Sequence, residues 1–329
     1  MSLSEISPAF DPGAGTYAAV ISRAVFRTLS RKVMIRVTGD DRVSFLHGMC
    51  SNDVRELATD GMIPALFLTE RAHLIAESFM WNTDDGILIE LERSAWPRVR
   101  DHLERLLVAD DVELEEATEL ELLDIEGPQA NAIAAELVGS AVPPFRPWHH
   151  AFDARVWIGN LPRLGIPAYT IFGPRAEIAR ITEALSQSEV PLAAEDLFET
   201  IRIENGVARP DVDTNDRTIA LEARMERSIS FSKGCYLGQE TIERATARGG
   251  LKKRLFGLRI GGGEIPPAGS VIKLDGKEVG HLTSVAVSPR FGVIGLAILH
   301  HSAWGDGCGV IVEGREGELG ATVSELPFK

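Results

Sequence analysis

The stretch Lys233-Gly234-Cys235-Tyr236-Leu237-Gly238-Gln239-Glu240 brings a cation, a thiol, a phenol, an amide and a carboxylate into eight residues. The run that follows it, residues 241–248, is typical of a short helix, and Gly249-Gly250 is a helix stop signal. Cys235 is therefore expected on a glycine-flanked turn just ahead of a helix N-terminus, close to Lys233. Both the positive end of a helix and a neighbouring cation favour the thiolate. The pattern predicts that Cys235 is a nucleophile or a metal ligand, and a small buried cysteine in a turn is the alternative.

Composition limits the class of protein. A chain of 329 residues predicts two or three domains, and its 44% hydrophobic and 25% charged residues are typical of a soluble globular protein. The net charge of −14 argues against a protein that coats nucleic acid or binds anionic membranes. The three cysteines (Cys50, Cys235 and Cys308) are odd in number and widely spaced, which predicts a reducing compartment. Residues 1–15 lack the pattern of a signal peptide, so we expect a cytoplasmic protein.

Hydrophobic periodicity predicts alternating helices and strands before residue 251 and strands alone after it. Helices are expected over 17–29, 94–108, 129–138, 176–186 and 194–203, with a further helix that Asp40 or Asp41 caps and that contains Leu46. Strands are expected over 32–37, 65–69, 74–81, 86–91, 110–116 and 121–126, with a strand-turn-strand unit over 155–172. Residues 141–147 are rich in proline and predict a connection. After residue 251, six short alternating runs separated by turns such as Asp275-Gly276 predict a small β-barrel.

The motif Lys-Gly-Cys-Tyr-x-Gly-Gln-Glu resembles that of the YgfZ family, which comprises folate-binding relatives of the glycine-cleavage T-protein that are linked to iron–sulfur enzymes. Residues 45–54 (Phe-Leu-x-Gly-x-x-Ser-Asn-Asp-Val) resemble the first folate-domain motif of the T-protein superfamily. Gly127-Pro128, Arg202 to Gly206 and the segment ending at Glu222 resemble further elements of that superfamily. The resemblance implies an α+β fold, with two α+β subdomains and a C-terminal antiparallel β-barrel around a central cavity.

The same resemblance sets the expected domain ranges. Residues 1–125 are expected to form the first α+β folate-binding subdomain, to which residues of about 205–250 return. Residues 126–204 are expected to form a second, ferredoxin-like α+β subdomain. Residues 251–329 are expected to form the barrel.

The resemblance also implies a set of residues around a folate ligand. Cys235 and Lys233 are the expected catalytic pair. The planar donor fork of Arg202 suits the carboxylates of a glutamate tail, and Glu204 can accept from the N–H groups of a pterin ring. An ion pair of these two residues on the surface is the alternative. The other expected folate contacts are Asn52, Glu77, Glu222, Tyr236, Gln239 and Glu240, and no metal site is expected.

Two departures separate this chain from the aminomethyltransferase pattern. Where the T-protein has Gly-x-x-x-Asp-Asp, residues 73–78 place Ala76 at one acidic position and offer Glu77 for the other. Where the T-protein has Gly-Tyr-Thr-Gly-Glu, residues 164–169 supply no carboxylate for the pterin. Both departures count against aminomethyl transfer and leave folate binding possible.

The function that the resemblance implies is binding of tetrahydrofolate or a folate derivative by a protein that supports iron–sulfur cluster assembly or repair. Its partners would be folate and iron–sulfur client or assembly proteins, including enzymes that modify tRNA, with no direct contact to nucleic acid or membrane. One alternative is a folate-dependent aminomethyltransferase or other one-carbon transferase. Another is a thiol or metal-handling protein that uses Cys235 without folate. A Cys–His hydrolase would need His47, His73 or His281 close to that thiol.

Overall fold

The computed structural model describes residues 12–138, 146–153, 155–247 and 250–329. Most of the expected connection at 141–147 and the first residue of the expected helix stop, Gly249, lie outside the described residues. The helices are α1 (Pro12–Ser22), α2 (Arg42–Met49), α3 (Trp96–Leu106), α4 (Ala130–Val138), α5 (Arg175–Ser186), α6 (Glu195–Glu204) and α7 (Gln239–Ala247). The strands up to residue 174 are β1 (Val25–Thr28), β2 (Lys32–Thr38), β3 (Met62–Leu68), β4 (Leu74–Thr83), β5 (Gly86–Glu92), β6 (Glu113–Glu116), β7 (Leu120–Glu126), β8 (His150–Asp153), β9 (Val156–Asn160) and β10 (Ala168–Pro174).

The first sheet has the strand order β3-β4-β5-β2-β6, and all its pairs are antiparallel. Its central strands carry apolar residues on both faces, since one face packs on α2 and α3 and the other faces the second sheet. The meander expected over residues 65–91 is confirmed as β3 to β5. The helix expected after Asp40 and Asp41 is confirmed as α2, although the Asp41 side chain accepts from the backbone N–H of Asp111 rather than capping that helix.

The second sheet has the order β1-β7-β10-β9-β8. The helix expected over 17–29 is wrong in its second half, because α1 ends at Ser22 and residues 25–28 form an edge strand paired with β7. Val25 and Phe26 are buried there, and such β-branched and aromatic residues pack well on a half-buried sheet. Apolar spacing alone did not separate this short strand from the helix before it.

Sheet membership also changes the expected domain ranges. The expected first subdomain, residues 1–125, contains β1 and nearly all of β7, yet both strands belong to the second sheet. The chain therefore enters the second sheet with β1, builds the first sheet, and returns with β7. A boundary drawn from chain order alone cuts through β7, because a returning strand leaves no local signal in the sequence.

The two sheets face each other across aromatic side chains. The Trp81 ring on β4 meets the edge of the Phe172 ring on β10, with ring centroids 4.9 Å apart. Phe172 in turn stacks on Trp157 at 5.1 Å. Trp81 is fully buried, and Gly159 opposite it leaves the space that the indole fills, since a Cβ there would lie 2.5 Å from the ring. This layer fixes the distance between the two sheets.

The C-terminal part is a closed six-stranded barrel, as the sequence predicted. Its strands are β11 (Lys253–Ile260), β12 (Val271–Leu274), β13 (Lys277–Ser288), β14 (Gly292–His300), β15 (Gly309–Glu313) and β16 (Glu318–Ser324). They close in the order β11-β14-β13-β12-β15-β16. Helix α6 packs on the barrel, and the Ser288 hydroxyl on β13 donates to the Glu204 carboxylate at 2.5 Å. Within the described ranges, no helix is both long and apolar enough to cross a membrane.

The inter-sheet layer gives a direct stability test. We expect Trp81→Ala to lower the free energy of unfolding by about 3–5 kcal/mol, because it removes a fully buried indole and leaves a cavity between two rigid sheets. Chemical denaturation followed by circular dichroism measures this loss. The matched control is Val108→Ala, at a residue 88% exposed, which we expect to change stability by less than about 0.5 kcal/mol. Equal effects of the two substitutions would contradict the assignment of the sheet interface.

Candidate functional site

The side chain of Lys233 lies in the interior and binds the end of a distant helix. Its Nζ donates to the carbonyl oxygens of His47, Cys50 and Asn52, the last two at 2.9 Å. Helix α2 ends just before these last two residues, so the ammonium sits at the negative end of that helix. An ammonium has three N–H groups, and each has a carbonyl acceptor here. Burial lowers the pKa of Lys233 from its usual range, whereas the three charge-assisted bonds favour its charged form.

Backbone and hydroxyl contacts strengthen the same junction. Ser51 Oγ donates to the carbonyl of Ser228 at 2.6 Å, and the Ser51 carbonyl accepts from Ser230 N at 2.9 Å. Leu237 N donates to the carbonyl of Gly48 at 3.3 Å. The two motifs found in the sequence, residues 45–54 and 233–240, are thus one structural unit.

Cys235 lies on the exposed side of this unit. Cys235 is exposed, and its thiol has no hydrogen-bond partner in the described part of the chain. In particular, no histidine of that part is bonded to it. The ammonium of Lys233, with its N–H groups taken by carbonyls, has none left for a Cys235 thiolate. We expected this cation to activate the thiol; instead it fastens the loop that carries it.

Cys50 is the thiol near the buried ammonium. Its Sγ lies 3.4 Å from the carbonyl of Asn52, and burial raises the pKa of Cys50 to about 11. This cysteine therefore stays protonated at neutral pH. His47 lies on the same helix end, buried, with Nδ1 3.2 Å from Asp53 Oδ1, and burial together with Lys233 lowers its pKa.

The remaining residues of the cysteine motif contact their own neighbours. Tyr236 is buried, its ring lies 5.0 Å from the Lys233 ammonium, and burial raises its pKa to about 12. Gln239 Nε2 donates to Glu243 at 2.7 Å within α7. Glu240 is exposed and lies 3.6 Å from Arg244. These contacts organise the turn and the first helical turn after it.

A cavity of about 420 Å³ lies between the two sheets, α6 and the segment 207–210. The described residues of its wall include seven cationic and four anionic side chains, in a protein whose net charge is −14. The cationic residues are Arg27, Arg31, Lys32, Arg163, Arg202, Arg209 and Arg227, and the anionic ones are Glu77, Glu92, Glu195 and Glu199. Phe79 and Phe198 add two aromatic rings. The cavity is thus a concave, partly apolar site with an excess of positive charge, suited to an anionic ligand with a flat ring.

The arginines of the cavity fall into two groups. Arg27 and Arg163 bind carboxylates buried behind the wall. Arg31 and Arg227 are exposed, and Arg209 is half-buried. Arg227 donates to the carbonyl of Arg163 and to Glu77, and Arg209 donates to Glu199. Each guanidinium has five N–H groups, so these three residues keep donors for a ligand at the mouth.

Of the eight expected folate contacts, the described lining of this cavity contains Glu77 and Arg202. Glu77 Oε1 accepts from Ser228 Oγ at 3.2 Å and from Arg227 Nη2 at 3.5 Å. The Glu77 carboxylate therefore faces the cavity while remaining tied to the segment that leads into the cysteine motif.

The expected role of Arg202 as a carboxylate-binding fork does not agree with its contacts. The residue is 3% exposed, and its five N–H groups meet protein acceptors. These acceptors are Glu199, Val207, Asp213 and Ser284. Arg202 fastens α6 to the barrel, because Asp213 and Ser284, which lie later in the chain, converge on its guanidinium.

Glu204, Asn52 and Glu222 lie outside the cavity lining. The Glu204 carboxylate is buried and accepts from the Tyr17 hydroxyl at 2.8 Å, so it joins α1, α6 and the barrel. Asn52 Nδ2 donates to the carbonyl of Pro64 at 2.7 Å. Glu222 Oε2 accepts from Ile219 N at 3.2 Å, and burial raises the pKa of this carboxyl.

The sequence analysis missed most of the cavity wall. Arg27 was assigned to an expected helix and was not considered for the site. Its position next to the apolar residues Val25 and Phe26 indicates a charge that faces inward. Arg163 directly precedes the segment 164–169 that we compared with the T-protein, and it was passed over. Phe198 was counted as one apolar position of α6. These residues converge only through the tertiary fold.

A larger but shallower groove of about 780 Å³ lies beside α3. Its described lining mixes arginines such as Arg71, Arg98 and Arg105 with a similar number of acids, and it contains no Phe, Tyr or Trp. We favour the smaller cavity because it combines aromatic walls with an excess of cations. In the described residues, no group of three or more His, Cys, Asp or Glu side chains is arranged to hold a metal ion.

Comparison with known proteins agrees with this architecture. Residues 8–233 match the GCVT N-terminal domain, and residues 253–329 match the glycine cleavage T-protein C-terminal barrel domain. A chloroplast protein of Arabidopsis thaliana, whose name gives transferase as a provisional activity, is 31% identical over 310 residues, which are 91% of this chain and 70% of that protein. The tRNA-modifying protein YgfZ of Yersinia enterocolitica is 27% identical over 250 residues, or 72% of this chain and 71% of that one.

The solved structure of glycine cleavage system aminomethyltransferase T from Bartonella henselae has the same fold. It superposes with a TM-score of 0.87 at 19% identity, covering 96% of this chain and 89% of that one. The T-protein-like architecture expected from the sequence is therefore confirmed. With both domain matches and the similarity to YgfZ proteins, the chain belongs to the glycine cleavage T-protein family, in its YgfZ branch.

Proposed function

We propose that this protein binds tetrahydrofolate or a related folate in the central cavity and supports iron–sulfur cluster assembly or repair in client enzymes. The observation that carries the folate part is the cavity itself, a basic and aromatic site in a protein of net charge −14. The client part rests on family membership and on the name of the YgfZ relatives, which are called tRNA-modifying proteins.

The chemistry of the wall matches the two ends of a folate. A pterin is flat and carries N–H donors, for which Phe79 and Phe198 supply aromatic side chains in the wall and Glu77 an acceptor. The glutamate tail carries two carboxylates, for which Arg31, Arg209 and Arg227 at the mouth offer donors. In this proposal the aromatic wall holds the ring and the arginines hold the tail.

The proposal gives Cys235 a separate task. Cys235 is exposed, does not line the cavity, and follows Gly234, where a Cβ would meet open space. The thiol lies on a loop that the buried Lys233 side chain holds in place, and its exposure makes it accessible to a partner protein. We therefore propose that Cys235 acts on clients at the surface while folate occupies the interior.

A one-carbon transferase is the second candidate, and Glu77 is the observation that favours it. This carboxylate does line the cavity, where an acid would face the reacting nitrogens of a folate. Ala76, in contrast, is buried and supplies no acid. Turnover of an aminomethyl or methyl donor that depends on tetrahydrofolate and is lost in Glu77→Gln would support the transferase.

We expect calorimetric titration with 5-formyltetrahydrofolate to show saturable binding that Cys235→Ala leaves unchanged. Arg227→Gln removes a charged donor at the mouth and should weaken binding about tenfold to a hundredfold, the effect of losing about 1.5–3 kcal/mol. The matched control is Arg98→Gln, another exposed arginine paired with an acid, which lines the shallow groove instead.

Two results of this titration would contradict the proposal. No binding by the wild-type protein would remove folate from the account and favour a folate-independent role for Cys235. Binding that is lost in Arg98→Gln but kept in Arg227→Gln would move the site to the groove.

The two thiols of the motif unit should differ sharply in reactivity. In a Cys308→Ser background, we expect a disulfide reagent at neutral pH to modify Cys235 in the folded protein, because this residue is exposed. Cys50 should react only on unfolding, since it is buried and its pKa is raised to about 11. Mass spectrometry of the labelled protein identifies the site. Labelling of Cys50 before Cys235 would show that the loop does not have the arrangement described above.

A further inference from the structure

A buried ionic cluster lies directly behind the cavity wall. Arg27 Nη2 lies 2.8 Å from Glu126 Oε1 and 3.4 Å from Asp124 Oδ2. Arg163 Nη1 lies 2.5 Å from Glu90 Oε1, and Arg163 Nε lies 3.0 Å from Asp124 Oδ2. The three carboxylates have no solvent exposure, and the two arginines are at most 8% exposed.

The cluster holds more carboxylates than buried cations. Three acids face two arginines. Lys32 at the rim lies 3.8 Å from Glu90 and closer, at 3.1 Å, to Glu92, which is outside the cluster. Among the described residues, Glu126 Oε2 finds no hydrogen-bond partner although it is fully buried. An ionised carboxylate oxygen left unpaired in the interior is costly, and one proton on it removes that cost. Because Asp124 stands two residues before Glu126 on the same face of β7, the two carboxyl groups can share this proton.

The charged groups that face Glu126 come from several elements. They are Arg27 on β1, Asp124 on β7 and Arg163 before β10, and Glu195 on α6 lies behind Arg27 at 3.8 Å. Burial raises the pKa of Glu126 to about 7, Arg27 opposes this shift, and Asp124 adds to it. The geometry and the charge balance therefore assign the same residue as the site of the extra proton.

Arg27 connects this cluster to the cavity. Its guanidinium carbon lies 3.9 Å from the centre of the Phe198 ring, and both side chains line the cavity. The positive charge that a ligand meets at this wall therefore depends on whether the carboxyl group behind Arg27 is ionised.

We propose that Glu126 is a positioning residue for the cavity whose role depends on its proton. It holds Arg27 in place, and when it is protonated the charge of Arg27 is available to an anionic ligand. This inference rests on the proposed folate site and adds its regulation by protons. Glu126 does not touch the ligand and acts through Arg27.

The sign of the effect follows from linkage. The carboxylates of a ligand bound in the same cavity disfavour the ionised form of Glu126, so binding takes up a proton wherever the free protein is deprotonated. Below about pH 7 the free protein already carries that proton, and affinity should not change with pH. Above about pH 7 the proton must be taken up on binding, and affinity should fall by up to about tenfold per pH unit.

The experiment is calorimetric titration of the full chain with 5-formyltetrahydrofolate between about pH 6 and pH 8.5, where the ligand carboxylates stay ionised. At the upper end of this range, titrations in two buffers of different ionisation enthalpy count the protons taken up. We expect the wild-type protein to show net uptake approaching about one proton per ligand. This measurement needs no variant.

Two variants assign the proton to Glu126. Glu126→Gln keeps the acceptor for Arg27 and imitates the protonated state, so its affinity should be independent of pH and its proton uptake should vanish. Glu121→Gln is the matched control on the same strand, at a half-exposed residue paired with Arg175, and it should keep the pH dependence of the wild type.

The outcomes separate this inference from the proposed function. Saturable wild-type binding with no proton uptake and no pH dependence overturns the role of Glu126 and leaves the folate site intact. Proton uptake that persists in Glu126→Gln also overturns it, since the proton then lies elsewhere. No binding at any pH rejects the folate site and, with it, this inference.

Discussion

The ammonium of Lys233 is the constraint on which the site depends. It lies in the interior and meets three carbonyl groups at the end of α2, about 180 residues earlier in the chain. A buried cation is tolerated only when its N–H groups are paired, so the loop and the helix end hold each other in one position. This one junction fixes the exposed position of Cys235. It also fixes the preceding segment, in which Arg227 lines the cavity and Ser228 binds Glu77.

The cavity shows how an acidic protein can present a basic site. Its arginines are held in place by carboxylates behind the wall, which reduces their charge but fixes their direction. Those carboxylates outnumber the buried cations, and in our proposal one of them retains a proton, so that the charge at the wall depends on pH. The mouth arginines pair with carboxylates that themselves line the cavity, and their remaining N–H groups are donors for a ligand. The interior is thus arranged for an anion, and the thiol is left outside it.

The sequence predicted the barrel strands and the meander, because short alternating runs carry local signals, and it singled out the two motifs by their uncommon residue types without predicting the contact between them. It did not predict the strand at residues 25–28 or the return of β7 to the second sheet, since pairing partners far apart leave no local pattern. Site residues were predicted less well for the same reason. Arg202 and Glu204 were expected to contact folate, yet both side chains bind protein partners (Asp213, Ser284, Tyr17 and Ser288) that come from elsewhere in the chain.

The central claim is that folate lies inside the protein while Cys235 stands outside it, and a crystal structure with bound 5-formyltetrahydrofolate tests this most directly. The account predicts electron density for the ring between Phe79 and Phe198, with the tail toward Arg227 and the thiol of Cys235 out of contact. Density in the groove beside α3, or a ligand in contact with Cys235, would contradict it.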